Sequence, residues 1–153
     1  LWDEGDPKKA FEKAIKYSNK TAISLSDKFC VERHKDHFLD LVKEKIEITF
    51  ANEEEISALI NAKKFEEVIN FGQEIKKLLI ITRGEKGAVA INGEEIVENG
   101  IKKNLNIVDL TGAGDLFAAG FLHGYVNKIS TKQCLEKGTE MSSKVIQQIG
   151  ARL

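Results

Sequence analysis

The stretch VDLTGAGDLFAAGF, residues 108–121, places three glycines within nine positions and runs on into apolar residues typical of a helix. Gly112 and Gly114 flank a single small residue, and the carboxylate of Asp115 follows directly. The first N–H groups of an α-helix have no hydrogen-bond partner within the helix. Because glycine has no side chain to keep a ligand off the backbone, the pattern indicates a helix start that a ligand could approach.

Two interpretations are compatible with this spacing. In the first, the amides of residues 112–115 and the positive end of the helix dipole bind a phosphate, and Asp115 accepts a proton from an attacking hydroxyl. In the second, the glycines form a simple loop, Asp115 stabilises the helix dipole, and Gly120 and Gly124 allow close helix packing. The spacing alone leaves both open.

Outward from this stretch, short apolar runs alternate with segments of helical spacing. The apolar runs predict strands at 21–26, 46–50 and 76–82. The helical segments lie at 7–18, 30–45, 52–60, 65–75, 112–127 and 131–148. Two alternating runs joined by Asn92-Gly93 predict a β-hairpin near residues 87–98. This order of elements predicts an α/β fold, doubly wound, with a mainly parallel sheet and helices on both faces.

The composition is that of one soluble globular domain. Of the 153 residues, 42% are hydrophobic and 31% are charged. No apolar run reaches the roughly 18 residues that a membrane helix needs. A net charge of -1 gives no general attraction for nucleic acid or an anionic membrane. The two cysteines, Cys30 and Cys134, lack C-x-x-C spacing, so we expect reduced thiols and a cytoplasmic protein.

The glycine-rich stretch also carries a family resemblance. DLTGAGDLFAAGFL resembles the D-T-x-G-A-G-D signature of the PfkB (ribokinase-like) family of carbohydrate and nucleoside kinases, with Leu110 where many members have Thr. The resemblance implies that Asp115 is the general base that activates the acceptor hydroxyl. It also implies that the amides of Gly112, Ala113 and Gly114 form the anion hole for the transferred phosphoryl group.

Two further motifs resemble those of the same family, in the same order. Asn52 and Glu55 match its N-x-x-E motif, which implies a role in holding Mg²⁺ through water, although Asn followed by three Glu is also an ordinary helix start. Thr82, Gly84 and Gly87 match its T-x-G-x-x-G turn, which implies a position beside the nucleotide phosphates and ribose. A simple turn leading into the hairpin is the alternative.

The resemblance also implies a monovalent-cation site and an adenine pocket. Asp109 and Thr111 are the candidate ligands of the cation, with K⁺ as the expected ion. TEMSSKVIQQIGAR, residues 139–152, resembles the helix that lines the adenine pocket, and many members carry Asn where this chain has Thr139. The nucleotide and metal expected from the resemblance are therefore ATP and Mg²⁺, with K⁺ as an activating ion.

The resemblance covers residues 1–153 but only the C-terminal half of a family member. We therefore expect a piece of a longer protein, in line with the absence of an initiating Met, lacking the N-terminal acceptor-binding half and lid and inactive by itself. The expected activity is ATP-dependent transfer of the γ-phosphate to a hydroxymethyl group of a nucleoside or sugar. SLSDKFCVERHKDHF is similar to bacterial adenosine kinase-like members and favours adenosine. The alternatives are a sugar kinase of the ribokinase or fructokinase type and a non-catalytic nucleotide-binding fragment; a homodimer of the full-length protein is compatible with the resemblance.

Overall fold

The computed structural model describes residues 6–153, with the backbone alone at Lys8, and in them helices alternate with strands. The helices are α1 Pro7–Tyr17, α2 Lys28–Arg33, α3 Lys35–Asp40, α4 Glu53–Ile60, α5 Phe65–Ile75, α6 Ala113–Val126 and α7 Thr131–Val145. The strands are β1 Ala22–Ser24, β2 Ile48–Asn52, β3 Leu78–Thr82, β4 Ala88–Asn92 and β5 Glu95–Asn99. None of the helices in this part of the chain is long and apolar enough to cross a membrane.

The five strands form one sheet in the order β1-β2-β3-β4-β5. β1 is parallel to β2, with Ala22 opposite Ile48 and Ser24 opposite Phe50. Four consecutive residues are buried in each of β2 and β4, as expected for strands covered on both faces. β4 and β5 form the predicted hairpin, in which Gly93 adopts a φ of 59°. The predicted α/β class with a mainly parallel sheet is confirmed.

The chain divides into two compact units. The first comprises the residues up to Ile80 together with Ile91–Glu94, and the second comprises Ile81–Ala90 and Glu95–Leu153. The core of the first unit contains fully buried residues from its helices, its strands and the residue that follows β1, namely Leu25, Val31, Phe38, Val42, Ile56, Leu59, Val68, Leu79 and Ile80. The first unit therefore contains the N-x-x-E motif, and the second unit contains the T-x-G-x-x-G turn and the glycine-rich stretch.

The helix predicted over residues 30–45 is one element in the sequence pattern but three in the structure. α2 ends at Arg33, α3 begins after His34, and Leu41–Lys45 form a π-helical turn. The break occurs because His34 leaves the helical conformation, with φ -120° and ψ 29°. The predicted apolar face is nevertheless correct, since its aliphatic and aromatic members are buried: Val31, Phe38, Leu41 and Val42.

In the second unit, α6 and α7 pack closely through glycines. A Cβ on Gly120 would lie 2.6 Å from the carbonyl oxygen of Lys137, and a Cβ on Gly138 would lie 2.9 Å from that of Phe117. The helix backbones therefore approach each other at positions where no side chain fits. This packing gives Gly120 the structural role that one interpretation of the sequence assigned to it.

Candidate functional site

The glycine-rich stretch forms the N-terminus of α6. Gly112 is the residue before the helix and adopts a left-handed conformation, with φ 78° and ψ 2°. A Cβ at this position would lie 2.6 Å from the Cβ of Ala151 and 2.9 Å from its Cα. Both the backbone conformation and the contact with Ala151 therefore require glycine here.

The first amides of α6 differ in their partners. The N–H of Ala113 donates to the carbonyl of Leu110 at 3.1 Å, and no side chain caps the helix. In the part of the chain that the structure describes, the amides of Gly112, Gly114 and Asp115 have no protein hydrogen-bond partner. Three backbone donors at the positive end of the helix dipole are thus available to a ligand.

The surroundings of these donors are open. Gly114 and Asp115 are exposed, and a Cβ built on Gly114 meets no atom within 4 Å. Nothing in the described structure requires glycine at position 114, in contrast to Gly112. The absence of a side chain at Gly114 therefore leaves space above the helix start, beside the carboxylate of Asp115.

Asp109 fixes the segment that enters α6. Its Oδ1 accepts hydrogen bonds from the amide of Thr111 at 2.9 Å and from the Thr111 hydroxyl at 2.7 Å, while its Oδ2 accepts from the amide of Gly150 at 2.9 Å. The bond from Gly150, followed by those from Thr111, lowers the pKa of Asp109 below its ordinary value. The carboxylate therefore joins the start of α6 to the C-terminal segment as a charged acceptor.

The predicted T-x-G-x-x-G turn closes on itself after β3. The amide of Arg83 donates to the carbonyl of Gly87 at 2.8 Å, and the amide of Gly87 donates to the carbonyl of Gly84 at 3.0 Å. Gly84 adopts a φ of 55° in open space, whereas Gly87 has a φ of 85° and leaves only 2.1 Å between a built Cβ and the carbonyl oxygen of Asn99. At position 87 the close approach to Asn99 requires glycine, whereas the space around Gly84 is open.

Thr139 lies on α7 and is hydrogen-bonded to Asn99, a residue outside the predicted motifs. Its hydroxyl oxygen accepts a hydrogen bond from Nδ2 of Asn99 at 2.9 Å. Oδ1 of Asn99 accepts from Nζ of Lys132 at 2.9 Å. An asparagine at the end of a strand carries no motif signal, so only the fold reveals this connection.

Asn52 and Glu55 belong to the first unit, where they form a reciprocal cap at the start of α4. The Asn52 side chain accepts from the amide of Glu55 at 2.8 Å, and the Asn52 amide donates to Oε2 of Glu55 at 2.9 Å. Nδ2 of Asn52 donates to Oε1 of Glu55 at 2.8 Å. The Glu55 residue is 6% exposed, and burial raises the pKa of its carboxyl.

The residues that the resemblance implies as ligands of Mg²⁺ and K⁺ differ in how well they fit these ions. No group of three or more His, Cys, Asp or Glu among the described residues could hold a metal ion. Mg²⁺ needs no such cage, because it commonly retains several waters and uses one or two carboxylates with substrate phosphates. Glu55 fits that mode, since each of its oxygens keeps one lone pair for a water. The Asp109 oxygens already accept hydrogen bonds, and the Thr111 hydroxyl already donates one to Asp109, so K⁺ at this pair stays a prediction.

The remaining predicted site residues all lie in the second unit: Thr82, Gly84, Gly87, Asp109, Thr111, Gly112, Ala113, Gly114, Asp115 and Thr139. Within that unit, the structure joins Asp109 to Thr111 and links Thr139 to the turn through Asn99. Asn52 and Glu55 are brought together in the other unit.

Comparison with known proteins identifies relatives along the whole chain. The model of the pfkB family carbohydrate kinase matches residues 1–153. A cytidine kinase from Thermococcus kodakarensis is 36% identical over 117 residues, which cover 72% of this chain and 42% of the relative. A nucleoside kinase from Methanocaldococcus jannaschii is 28% identical over 148 residues, which cover 97% of this chain and 48% of the relative.

The structure is also similar to a solved structure of the same kind. The crystal structure of adenosine kinase from Sinorhizobium meliloti superimposes with a TM-score of 0.95 at 38% identity, over 100% of this chain and 48% of the other. The chain thus spans about half the length of the relatives that it matches.

Proposed function

This chain belongs to the pfkB family of carbohydrate kinases, and we propose that it forms the C-terminal nucleotide-binding and catalytic part of an ATP-dependent kinase. The kinase transfers the γ-phosphate of ATP to a hydroxymethyl group of a nucleoside or sugar. The acceptor-binding residues and the lid belong to the N-terminal half of that longer protein. The 153-residue chain by itself is therefore expected to show little or no transfer activity.

The observation that carries the proposal is the N-terminus of α6. Three amides, those of Gly112, Gly114 and Asp115, point to no protein acceptor in the described region, and they lie beside an exposed carboxylate. Phosphoryl transfer demands mainly positioning and charge stabilisation at the oxygens of the transferred group. Backbone donors at a helix start supply both, and they require no cationic side chain.

In the proposed reaction, the acceptor hydroxyl attacks the γ-phosphorus in line with the leaving oxygen. The bond from oxygen to the γ-phosphorus forms, the bond between the β-γ bridging oxygen and the γ-phosphorus breaks, and ADP leaves. Asp115 takes the hydroxyl proton, and the helix-start amides stabilise the charge on the phosphoryl oxygens. Glu55 and Asn52 would hold Mg²⁺ through water, and the ion would supply positive charge to the phosphates when bound.

We infer a nucleoside, with adenosine favoured, as the acceptor. The similarity to an adenosine kinase at 38% identity over the whole chain supports this choice. The cytidine kinase and nucleoside kinase relatives support the broader class. A sugar kinase of the ribokinase or fructokinase type is the second candidate, because the matching family is one of carbohydrate kinases.

The same proposal assigns the nucleotide contacts, the activating ion and the location of the protein. Thr82, Gly84 and Gly87 bind the phosphates and ribose of ATP, and Thr139 lies at the base. K⁺ bound near Asp109 and Thr111 is the proposed activating ion. The two cysteines of the chain are free and buried, which supports a cytoplasmic location, and a homodimer of the full-length protein is compatible with the proposal.

The experiment that tests the proposal is a transfer assay on the full-length protein that contains this chain. Adenosine, cytidine, ribose and fructose are each incubated with ATP and Mg²⁺, and ADP and the phosphorylated product are measured. We expect phosphorylation of adenosine. Phosphorylation of ribose or fructose alone would establish the sugar kinase, and ATP binding with no transfer to any acceptor would favour the non-catalytic fragment.

Asp115→Asn is the first variant to compare in that assay. Because asparagine cannot accept the proton, we expect kcat to fall by about a hundredfold or more, with ATP affinity little changed. Asp36→Asn is the matched control, since Asp36 is also an exposed acidic residue in the first turn of a helix. An unchanged kcat for Asp115→Asn would contradict the role of general base.

A further inference from the structure

Asn99, the last residue of β5, forms hydrogen bonds with three residues of the second unit through its side chain. Nδ2 donates to the hydroxyl oxygen of Thr139 at 2.9 Å and to the carbonyl of Gly100 at 3.1 Å. Oδ1 accepts from Nζ of Lys132 at 2.9 Å. The same ammonium donates to the carbonyl of Glu98 at 2.7 Å. Both amide donors and the amide oxygen are thus engaged, which fixes the side chain.

The main chain of Asn99 meets the glycine-rich turn on its other side. A Cβ on Gly87 would lie only 2.1 Å from the carbonyl oxygen of Asn99, so the two backbones are in direct contact. The carbonyl of Gly87 accepts a hydrogen bond from the amide of Arg83, which closes the turn. A displacement of Asn99 would therefore move the turn.

These contacts place one residue against both the turn and α7. The side chain of Asn99 holds α7 at Thr139 and Lys132, while its carbonyl supports Gly87. The proposed function assigns the turn to the phosphates and ribose and Thr139 to the base. A change in the distance between these two segments would therefore weaken the fit of the nucleotide without touching Asp115.

We propose that Asn99 is a positioning residue for the nucleotide, which it orders by fixing the turn at Gly87 against α7 at Thr139. The inference rests on the proposed function. Asn99 need not touch the nucleotide, because it acts through the two segments that do. Its loss is therefore expected to change the KM for ATP and to leave the chemical step intact.

The test compares Asn99→Ala with Asn99→Asp in the full-length kinase. Alanine removes all three side-chain bonds, and we expect the KM for Mg·ATP to rise about fivefold to tenfold. The values of kcat and of the KM for the acceptor should stay within about twofold. Aspartate can accept from Lys132 and from the Thr139 hydroxyl, so it should restore most of the affinity.

Asn127→Ala is the matched control for the loss of a side-chain hydrogen bond. Nδ2 of Asn127 donates to the carbonyl of His123 at 2.7 Å at the exposed end of α6. Its removal should lower the thermal stability without a change in the KM for ATP. A KM that rises equally in Asn127→Ala and Asn99→Ala would show general loosening of the fold and would overturn the inference.

A second pair of variants decides whether Thr139 acts with Asn99. Thr139→Ser keeps the hydroxyl acceptor and should resemble the wild type, whereas the isosteric Thr139→Val removes it and should raise the KM for ATP. In the double variant Asn99→Ala with Thr139→Val, the increase should equal that of Asn99→Ala alone. Additive increases would overturn the coupling, and Asn99→Ser replaces Asn99→Ala in both comparisons if Asn99→Ala does not fold.

The outcomes for the two proposals are separable. A wild-type protein that neither binds ATP nor transfers phosphate would overturn the proposed function and this inference together. An active wild type whose KM for ATP is unchanged in Asn99→Ala, or whose kcat alone falls, would overturn the inference and leave the proposed function standing.

Discussion

The starts of α4 and α6 both place an acidic residue three positions after the residue that precedes the helix, but they differ in how their amides are satisfied. At α4, the Asn52 and Glu55 side chains close the helix start reciprocally, and Glu55 is buried. At α6, the helix begins after a left-handed Gly112 with no side-chain cap, and Asp115 is exposed. A capped helix start stabilises the fold, whereas an uncapped helix start leaves backbone N–H donors available to a ligand.

The difference shows that glycine and asparagine before a helix predict different uses of the same backbone. At α4 the side chains supply their own acceptors for the orphan amides, so the motif is structurally complete. At α6 the acceptor is missing from the described protein, and the space above Gly114 is open. A helix start that lacks its own cap is therefore the stronger indication of an anion site in this chain.

The largest effect on stability is expected for Gly112→Ala. The left-handed conformation and the 2.6 Å approach to Ala151 should together lower the free energy of unfolding by about 2–4 kcal/mol. Urea-induced unfolding of the purified protein measures this change. Gly100→Ala is the control, because a Cβ there meets nothing within 4 Å. Equal stability of the two variants would show that the start of α6 does not depend on glycine.

Asn52→Ala should have the next largest effect. It removes the cap of α4 and one donor to the buried Glu55 carboxylate, which should cost about 1–2 kcal/mol of unfolding free energy. Ser130→Ala, at the exposed capping box of α7, should cost less because its partner Gln133 can turn to water. The same unfolding measurement compares them, and a smaller loss in Asn52→Ala would remove the distinction between buried and exposed caps.

Gly114→Ala should sharpen the contrast, because stability and activity are expected to change in opposite directions. The added methyl meets no protein atom and should stabilise the helix start by about 0.5 kcal/mol. The same methyl would obstruct an incoming phosphate and should lower kcat/KM by about tenfold to a hundredfold. Unfolding and transfer assays on one preparation test both parts, and full activity would place the phosphate elsewhere.

The smallest effect is expected in the pH dependence of Asp109. The pKa of Asp109 is lowered from 3.8 in the folded state. Its hydrogen bonds therefore contribute stability above pH 3.8, and this stability is lost as the pH falls through the pKa of the folded state. The difference in melting temperature between wild type and Asp109→Asn should be constant above about pH 5 and shrink in more acidic buffer. A difference that grows on acidification would contradict the direction of the shift.

The sequence predicted local elements well where one face or one turn determines them. The amphipathic helix at Phe65–Ile75 has the predicted bounds, and the hairpin at Asn92-Gly93 forms with the turn one residue further along. The break at His34 was not predicted, because the apolar face stays continuous through it while only the backbone departs. Hydrophobic spacing indicates which side is buried and carries little information about local backbone geometry.

For the site, the sequence indicated the donors but not their partners. The use of the Ala113 amide by Leu110, the contact of Gly112 with Ala151 and the role of Asn99 are all set by the folded chain. Two of these three involve residues about forty positions apart, where no periodicity in the sequence applies. The motif thus predicts a potential site, and distant residues determine its shape.

The bond from the Gly150 amide to Asp109 has a practical consequence for protein engineering. Together with the contact between Ala151 and Gly112, it makes the segment just before Leu153 a support for the helix start forty residues earlier. A shortened variant that ends before Gly150 would keep every residue of the signature and lose what holds it in shape. Insertions and substitutions at residues 150 and 151 are therefore expected to disturb the start of α6.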